Sequence, residues 1–264
     1  MGRPGRPVVF IHGLWKGVSI WSRWVDRFIA EGYRAEAPTW PGERTDVEET
    51  RSHSKDLEGI SLDDAVRHFE DRIAALDEPP IVVGHSFGAL IAERLLADGV
   101  AIAAVAIDPA QSGNALPGSI ERLRLTDPDF GFDPLGSSIV TMTVEQFHNA
   151  FCTAASDDEA ASYYERFYIP ASVNPLLEVA SDGFRLIRTP PEGPAGPLLL
   201  LPTNRPSKDL IALEDPSILA FRDSISVEQN FEFLGIGHSL VFDENWEQVA
   251  NVIVDWLEEK GLRN

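Results

Sequence analysis

Short runs of β-branched and aliphatic residues alternate along the chain with longer stretches whose apolar positions recur every three or four residues. That alternation predicts an α/β fold, a mostly parallel central sheet with helices on both faces. Pro7–Ile11 is a continuous apolar run ended by His12-Gly13, the pattern of a strand buried on both sides. Trp21, Trp24, Val25, Phe28 and Ile29 follow at helical spacing until Gly32, and residues 33–40 read as the next strand. The polar stretch 43–60 has no period and reads as a loop. Ser61-Leu62-Asp63-Asp64 reads as a capping box, opening a helix with Ala65, Val66, Phe69, Ile73 and Leu76 on one face. Residues 81–83 predict a buried strand, 89–96 a helix and 101–107 a further strand.

The alternation stops at residue 109. Pro, Gly and Asp dominate up to about residue 140, after which two helices are announced by capping boxes, Thr143 with Gln146 and Ser156 with Glu159. A third short helix begins at Asn174-Pro175, and no strand is predicted in this region. Residues 109–190 therefore read as a helical cap inserted between two parts of one core, residues 1–108 and 191–264. In the second part, residues 197–201 predict a buried strand and Asp215-Pro216 opens a helix. Residues 231–236 predict the last strand. Trp246, Val249, Ile253 and Leu257 mark an amphipathic C-terminal helix.

Charge narrows the partners. The 264 residues include 22 basic and 42 acidic side chains, a formal net charge of −20. A nucleic-acid surface needs clustered Lys and Arg, and an anionic membrane surface needs the same, so neither is expected as a partner. The single cysteine, Cys152, excludes an internal disulfide framework and a multi-cysteine metal site. No apolar run is long enough for a membrane span, the first residues carry no signal-peptide core, and no Asn-x-Ser/Thr site occurs. The expectation is a cytoplasmic protein acting on a small molecule.

Gly84-His85-Ser86-Phe87-Gly88 follows a buried strand and precedes an apolar helix. In that setting a sharp strand-to-helix turn presents the serine hydroxyl at the sheet edge as a nucleophile. A serine needs a base to take its proton, and of six histidines His238 is best placed, on a loop after the last strand in Gly235-Ile236-Gly237-His238. His12 and His85 flank glycine turns and read as structural. No histidine pair has metal-ligand spacing, and no cofactor is implied. An oxyanion would be held by the backbone N–H groups of Phe87 and Leu14, the latter in the exit loop of the first strand. Trp15 reads as a pocket wall. Phe147, Phe151, Tyr163, Tyr164 and Phe167 form a stripe that reads first as cap core, with Phe147 and Phe151 the candidates to reach the substrate. Asp127 to Asp133 departs from any cation-loop pattern and reads as cap loop; Cys152 reads as a small buried hydrophobe.

With His12-Gly13-Leu14-Trp15, Gly84-His85-Ser86-Phe87-Gly88 and Gly237-His238 in these positions, the chain resembles the α/β-hydrolase superfamily. Within it, the resemblance is to small bacterial serine hydrolases with a helical cap. It implies an eight-stranded sheet, here without the first two strands, and no cofactor. Serine at position 86 separates the chain from the haloalkane dehalogenases and epoxide hydrolases of that superfamily, which use aspartate there. The resemblance places the triad acid after the strand that follows the cap. The turn there, Leu201 to Asp209, holds no carboxylate at the expected place, and Asp209 comes several residues late. Some members take the acid from the end of the preceding strand, here Asp108, where an ionised carboxylate ending an apolar strand needs a partner such as an imidazole N–H. Asp108 is taken as the triad acid, with Asp209 as the alternative. The implied activity is that of a carboxylesterase-like enzyme, cleaving an ester, thioester or lactone of a small, mostly apolar substrate through an acyl-enzyme on Ser86. The alternatives are lyase, acyltransferase or cyclase chemistry on the same scaffold, or ligand binding without turnover.

Overall fold

Strand β1, Pro7–Ile11, has no solvent-facing side because it is flanked on both edges by other strands and on both faces by helices. The computed structural model describes residues 5–110, 138–179, 185–187, 195–203, 216–230, 233 and 236–263. Six strands form the main sheet: β1, then β2 (Arg34–Glu36), β3 (Ile81–His85), β4 (Ala103–Ile107), β7 (Leu198–Leu201) and β8 (Val227–Gln229), in spatial order β2-β1-β3-β4-β7-β8. Every pairing is parallel. The four central strands are buried throughout, as their unbroken apolar runs require.

Two of these strands depart from the sequence expectation, and both are at the edges. The strand expected over 33–40 is confined to β2. The more polar Val227–Gln229, not expected as a strand, forms the described sheet edge beside β7, while Phe233 and Ile236 of the expected 231–236 strand lie in turns. An edge strand such as β8 has a neighbour on one side only, so Glu228 and Gln229 reach solvent and the apolar run that marks a central strand is missing. Residues 231, 232, 234 and 235 lie outside the described residues.

Helices α1 (Ser22–Ala30), α2 (Val47–Ser52), α3 (Leu62–Ala74) and α4 (Phe87–Ala97) surround the first half of the sheet. α2 falls inside the stretch expected to be loop. Its six residues are too few for an apolar period; the Asp46 side chain caps them by accepting from the Glu49 N–H, and Arg51 donates to the carbonyls of Tyr164 and Tyr168. α3 opens with the expected capping box between Ser61 and Asp64. α1 is locked to β1 by Phe10, whose ring centroid lies 5.1 Å from Trp21 and 5.0 Å from Phe28.

Between β4 and β7 run α5 (Val144–Phe151), α6 (Asp157–Phe167) and α7 (Asn174–Val179), the first two opening with the capping boxes at Thr143 and Ser156. A short antiparallel pair, β5 (Ile139–Val140) with β6 (Ala171–Ser172), is also present where no strand was expected. Two-residue strands are too short to show an alternation. This segment leans on the loop after β1: Gly17 N–H donates to Phe167 O at 2.8 Å, and Lys16 bridges Tyr168. α8 (Pro216–Ser224) and α9 (Trp246–Glu259) complete the described helices. The expected cap at Asp215 lies outside the described residues.

The backbones of β1, β3 and α4 meet at contact distance. A Cβ on Gly88 would stand 2.1 Å from Ile11 O, and one on Gly84 would stand 2.0 Å from Gly88 O. Gly88→Ala should therefore destabilise the fold by about 3 kcal/mol, the upper end for overpacking. A urea titration would show this as a lowered midpoint; an unchanged midpoint would mean the helix can retreat from β1 without loss.

Candidate active site

Ser86 is the junction between β3 and α4, with φ 59° and ψ −120°. This is a conformation that a residue with a side chain holds at a cost of about 1–3 kcal/mol. Three contacts fix it: Ser86 N–H donates to Ile107 O at 3.0 Å, and Ser86 O accepts from the N–H groups of Ala89 and Ala110. The turn puts the side chain beside the loop that leaves β1. A Cβ on Gly13 would stand 2.6 Å from Ser86 Cβ and 3.0 Å from its Oγ, so position 13 has room only for glycine. Leu14 and Trp15 follow, both buried, and Trp15 also has a positive φ, 63°. Phe87, the first residue of α4, directs its amide from the helix N-terminus, where the first N–H groups have no partner within the helix.

His238 is brought to the same end of the sheet by the loop before α9. That loop is pinned to α1, because Trp24 Nε1 donates to Val241 O and Arg23 donates to Phe242 O, each at 2.7 Å. The His238 ring lies 4.4 Å, centroid to centroid, from that of His85, which is the residue before Ser86. His238 Nδ1 donates to Asp108 Oδ2 at 2.5 Å. With Nδ1 committed, Nε2 carries the lone pair. Nε2 is buried and has no hydrogen-bond partner among the described residues.

Asp108 ends β4 with φ 40°, a second strained position. Its N–H donates to Leu201 O, while its carboxylate also accepts from Thr203 Oγ1 at 2.8 Å. Burial works to raise its pKa, but the bonds from His238 and Thr203 outweigh burial and hold it below the usual carboxylate range. Asp108 is the candidate acid that touches His238; Asp209 lies outside the described residues, as does the loop from Asp127 to Asp133. Burial lowers the pKa of His238 below that of an ordinary histidine, helped by the charge of Lys16 and opposed by Asp108. His85 is held well below its ordinary value, chiefly by burial and then by the nearby His238 and Lys16 charges. His12, fully buried, approaches Glu43 Oε2 at 3.0 Å and does not enter the cluster around Asp108.

The aromatic wall is supplied by Phe151, whose ring lies 5.5 Å from His238 and 6.0 Å from Trp15. Phe147 is one layer back, packed on Phe151, Tyr164 and Tyr168. Phe167 is buried against Phe242, and Tyr163 and Tyr164 are half-buried. Cys152 is fully buried, and burial pushes its thiol up to about 12. A small cleft of about 20 Å³ is lined by Leu14, Trp40, Leu57, Pro170 and Ala171 among others.

Two residues of this region escaped the sequence reading. Thr203 was part of the turn searched for a carboxylate and contributes a hydroxyl instead. Lys16 is fully buried, its Nζ 3.6 Å from the centroid of the Phe151 ring. Burial brings its pKa down to about 7, with Cys152 and Asp108 working the other way. The available signal was its rarity: the chain has four lysines, and this one sits in the loop after β1. Among the described residues no group of three or more His, Cys, Asp or Glu could hold a metal ion, and no helix is long and apolar enough to cross a membrane.

No curated protein matches the sequence. Solved structures resemble the fold at low identity. Tomato Methylketone Synthase I complexed with 2-tridecanone superposes with a TM-score of 0.67 at 13% identity, over 97% of this chain and 98% of that one. A methylesterase protein from Arabidopsis gives 0.61 at 13%, over 96% and 99%. A thioesterase domain from the curacin biosynthetic pathway gives 0.54 at 15%, over 97% and 93%. The sequence profile of the alpha/beta hydrolase family matches residues 8–252, nearly the whole described sheet included. The chain belongs to the alpha/beta hydrolase family.

Proposed function

We propose that the protein is a serine hydrolase that cleaves a carboxylic ester or thioester through an acyl-enzyme on Ser86. The observation that carries this reading is the conjunction of a strained Ser86 at the β3–α4 turn with His238 oriented by Asp108. Esterases and thioesterases occur among proteins of similar fold, which is compatible with it. In the proposed reaction Ser86 Oγ attacks the carbonyl carbon while His238 Nε2 takes the hydroxyl proton. The oxyanion rests against the amides of Leu14 and Phe87. Collapse breaks the bond to the leaving alcohol or thiol, which receives the proton from His238. Water, deprotonated by the same nitrogen, then releases the acid and restores Ser86. Asp108 keeps Nδ1 protonated and stabilises the transient imidazolium. Trp15 and Phe151 wall the acyl site, with Phe147 behind, and residues 109–190 act as the cap over it. No cofactor is required by this chemistry.

Three measurements test the reading. A fluorophosphonate should label Ser86 once per chain, found by peptide mapping, and His238→Ala should abolish fast labelling; an unlabelled Ser86 in folded protein would remove the serine mechanism. Asp108→Asn should lower kcat on 4-nitrophenyl acetate by on the order of 10³–10⁴, because the wrong tautomer would face Ser86. A comparable loss at Asp209→Asn, with none at Asp108→Asn, would transfer the role. Finally, the base must be neutral and its pKa is lowered, so kcat/KM should persist as pH falls past the ordinary histidine value and drop only below it. An acid limb above that value would contradict the burial argument.

A further inference from the structure

The described residues contain two fully buried side chains of the Lys or Glu type, and they are treated differently. Glu93, on α4, receives both Nε and a terminal nitrogen of Arg222, each at 2.8 Å. Lys16 is not so paired: among the described residues its Nζ has no hydrogen-bond partner, and it lies 3.6 Å from the centroid of the Phe151 ring. A cation–π contact satisfies part of the charge but accepts none of the three N–H bonds an ammonium can donate. A charge buried without a partner costs stability and is ordinarily neutralised or replaced. The same Phe151 ring that covers Nζ also lies against His238, so the lysine head and the base share one aromatic wall. The backbone of Lys16 is itself held, by the bridge to Tyr168, and it belongs to the loop whose Gly13 contacts Ser86.

We infer that Lys16 is the specificity residue of the Ser86 site and receives a carboxylate carried by the substrate, which makes the substrate class an acidic ester or thioester, such as a half-ester of a dicarboxylic acid. The inference rests on the serine-hydrolase reading above. A substrate carboxylate supplies what the lysine lacks, a negative charge and acceptor oxygens in a site from which water is excluded. Binding such a group also draws the lysine back toward its charged form, which burial otherwise disfavours near neutral pH. The acyl or alcohol portion between carbonyl and carboxylate would run along Trp15 and Phe151. The chemistry at Ser86 is unchanged: a half-ester and water give the diacid and the alcohol.

The test compares 4-nitrophenyl hydrogen glutarate with 4-nitrophenyl pentanoate, acyl chains of equal length with and without the terminal carboxylate. Wild type should favour the acidic ester in kcat/KM, and Lys16→Met should lower the acidic-to-neutral ratio by about ten- to a hundredfold, mainly through KM, the range for losing a charge-assisted hydrogen bond. In wild type the KM of the glutarate ester should rise as pH increases through and above 7, with no matching rise for the pentanoate ester. Because methionine replaces a buried charge by an apolar side chain of similar length, the melting temperature of the variant should equal or exceed that of wild type, and Lys16→Gln provides a second variant of similar size. A ratio that stays constant in both variants, or a wild-type enzyme that prefers the pentanoate ester, would overturn the inference. Fluorophosphonate labelling separates the two failures: Ser86 labelled with an unmoved ratio removes the role of Lys16 alone, whereas an unlabelled Ser86 removes the hydrolase mechanism and this inference with it.

Discussion

The constraint on which the rest depends is the backbone contact among β1, β3 and α4. Strand β3 can turn into α4 at Ser86 only if nothing stands between Gly84 and Gly88, and α4 can lie against β1 only if Gly88 has no side chain to meet Ile11 O. Those two absences bring the helix N-terminus, the exit of β1 and the serine to one point. The positive φ of Ser86 is then the local cost of a geometry imposed by its neighbours. Asp108, next along the sheet at the end of β4, shows the same sign of strain and is held by bonds to Leu201 O on one side and Thr203 on the other. Strain at both residues is supported by a sheet whose central strands are fully buried, and so cannot relax by local rearrangement.

Electrostatics builds on that frame. Asp108, His238 and Lys16 are largely buried, and burial is the largest influence on the protonation of each, with the charges and bonds among them acting on top of it. The bond from His238 keeps Asp108 ionised despite burial, and the same bond fixes which imidazole nitrogen is left with a lone pair. Burial chiefly, and then the charge of Lys16, act on His238 in the opposite direction to Asp108 and hold its pKa below that of an ordinary histidine. A histidine meant to accept a proton at neutral pH benefits from that bias; one meant to remain charged would not.

What could be read in the sequence follows from how many neighbours each segment has. The central strands were legible because burial on both faces leaves an unbroken apolar run. β8 was not read because an edge strand needs only half of that pattern, and its three residues are too few and too polar to stand out. The capping boxes at Ser61, Thr143 and Ser156 were legible because the cap is a local hydrogen-bond code within four residues. α2, by contrast, owes its place to Arg51 reaching carbonyls more than a hundred positions away, which no local pattern contains. The same division runs through the site. Ser86 and its glycines form a contiguous motif, and His238 follows a recognisable strand-and-loop order. The pairing of Asp108 with His238 spans 130 positions, so the sequence favoured Asp108 but kept Asp209 as the alternative. Lys16 was missed because a lone lysine is ordinarily a solvated surface residue, and its burial beside the Phe151 ring joins residues more than a hundred positions apart.

Lys16 also has to be weighed against the charge of the whole molecule. A net charge of −20 repels anions at long range, which would argue against an acidic substrate. Surface charges, however, are screened beyond about 8 Å at physiological ionic strength, whereas a buried ammonium beside an aromatic face acts across a contact distance with little water between. The two effects operate at different stages: the surface field slows the approach of an anion, and the buried cation decides whether it stays. Increasing salt should thus relieve the first while leaving most of the second. On the proposed reading, an acidic exterior and an interior lysine without a hydrogen-bond partner among the described residues would together exclude anions in general and retain the one that reaches Lys16 beside Phe151.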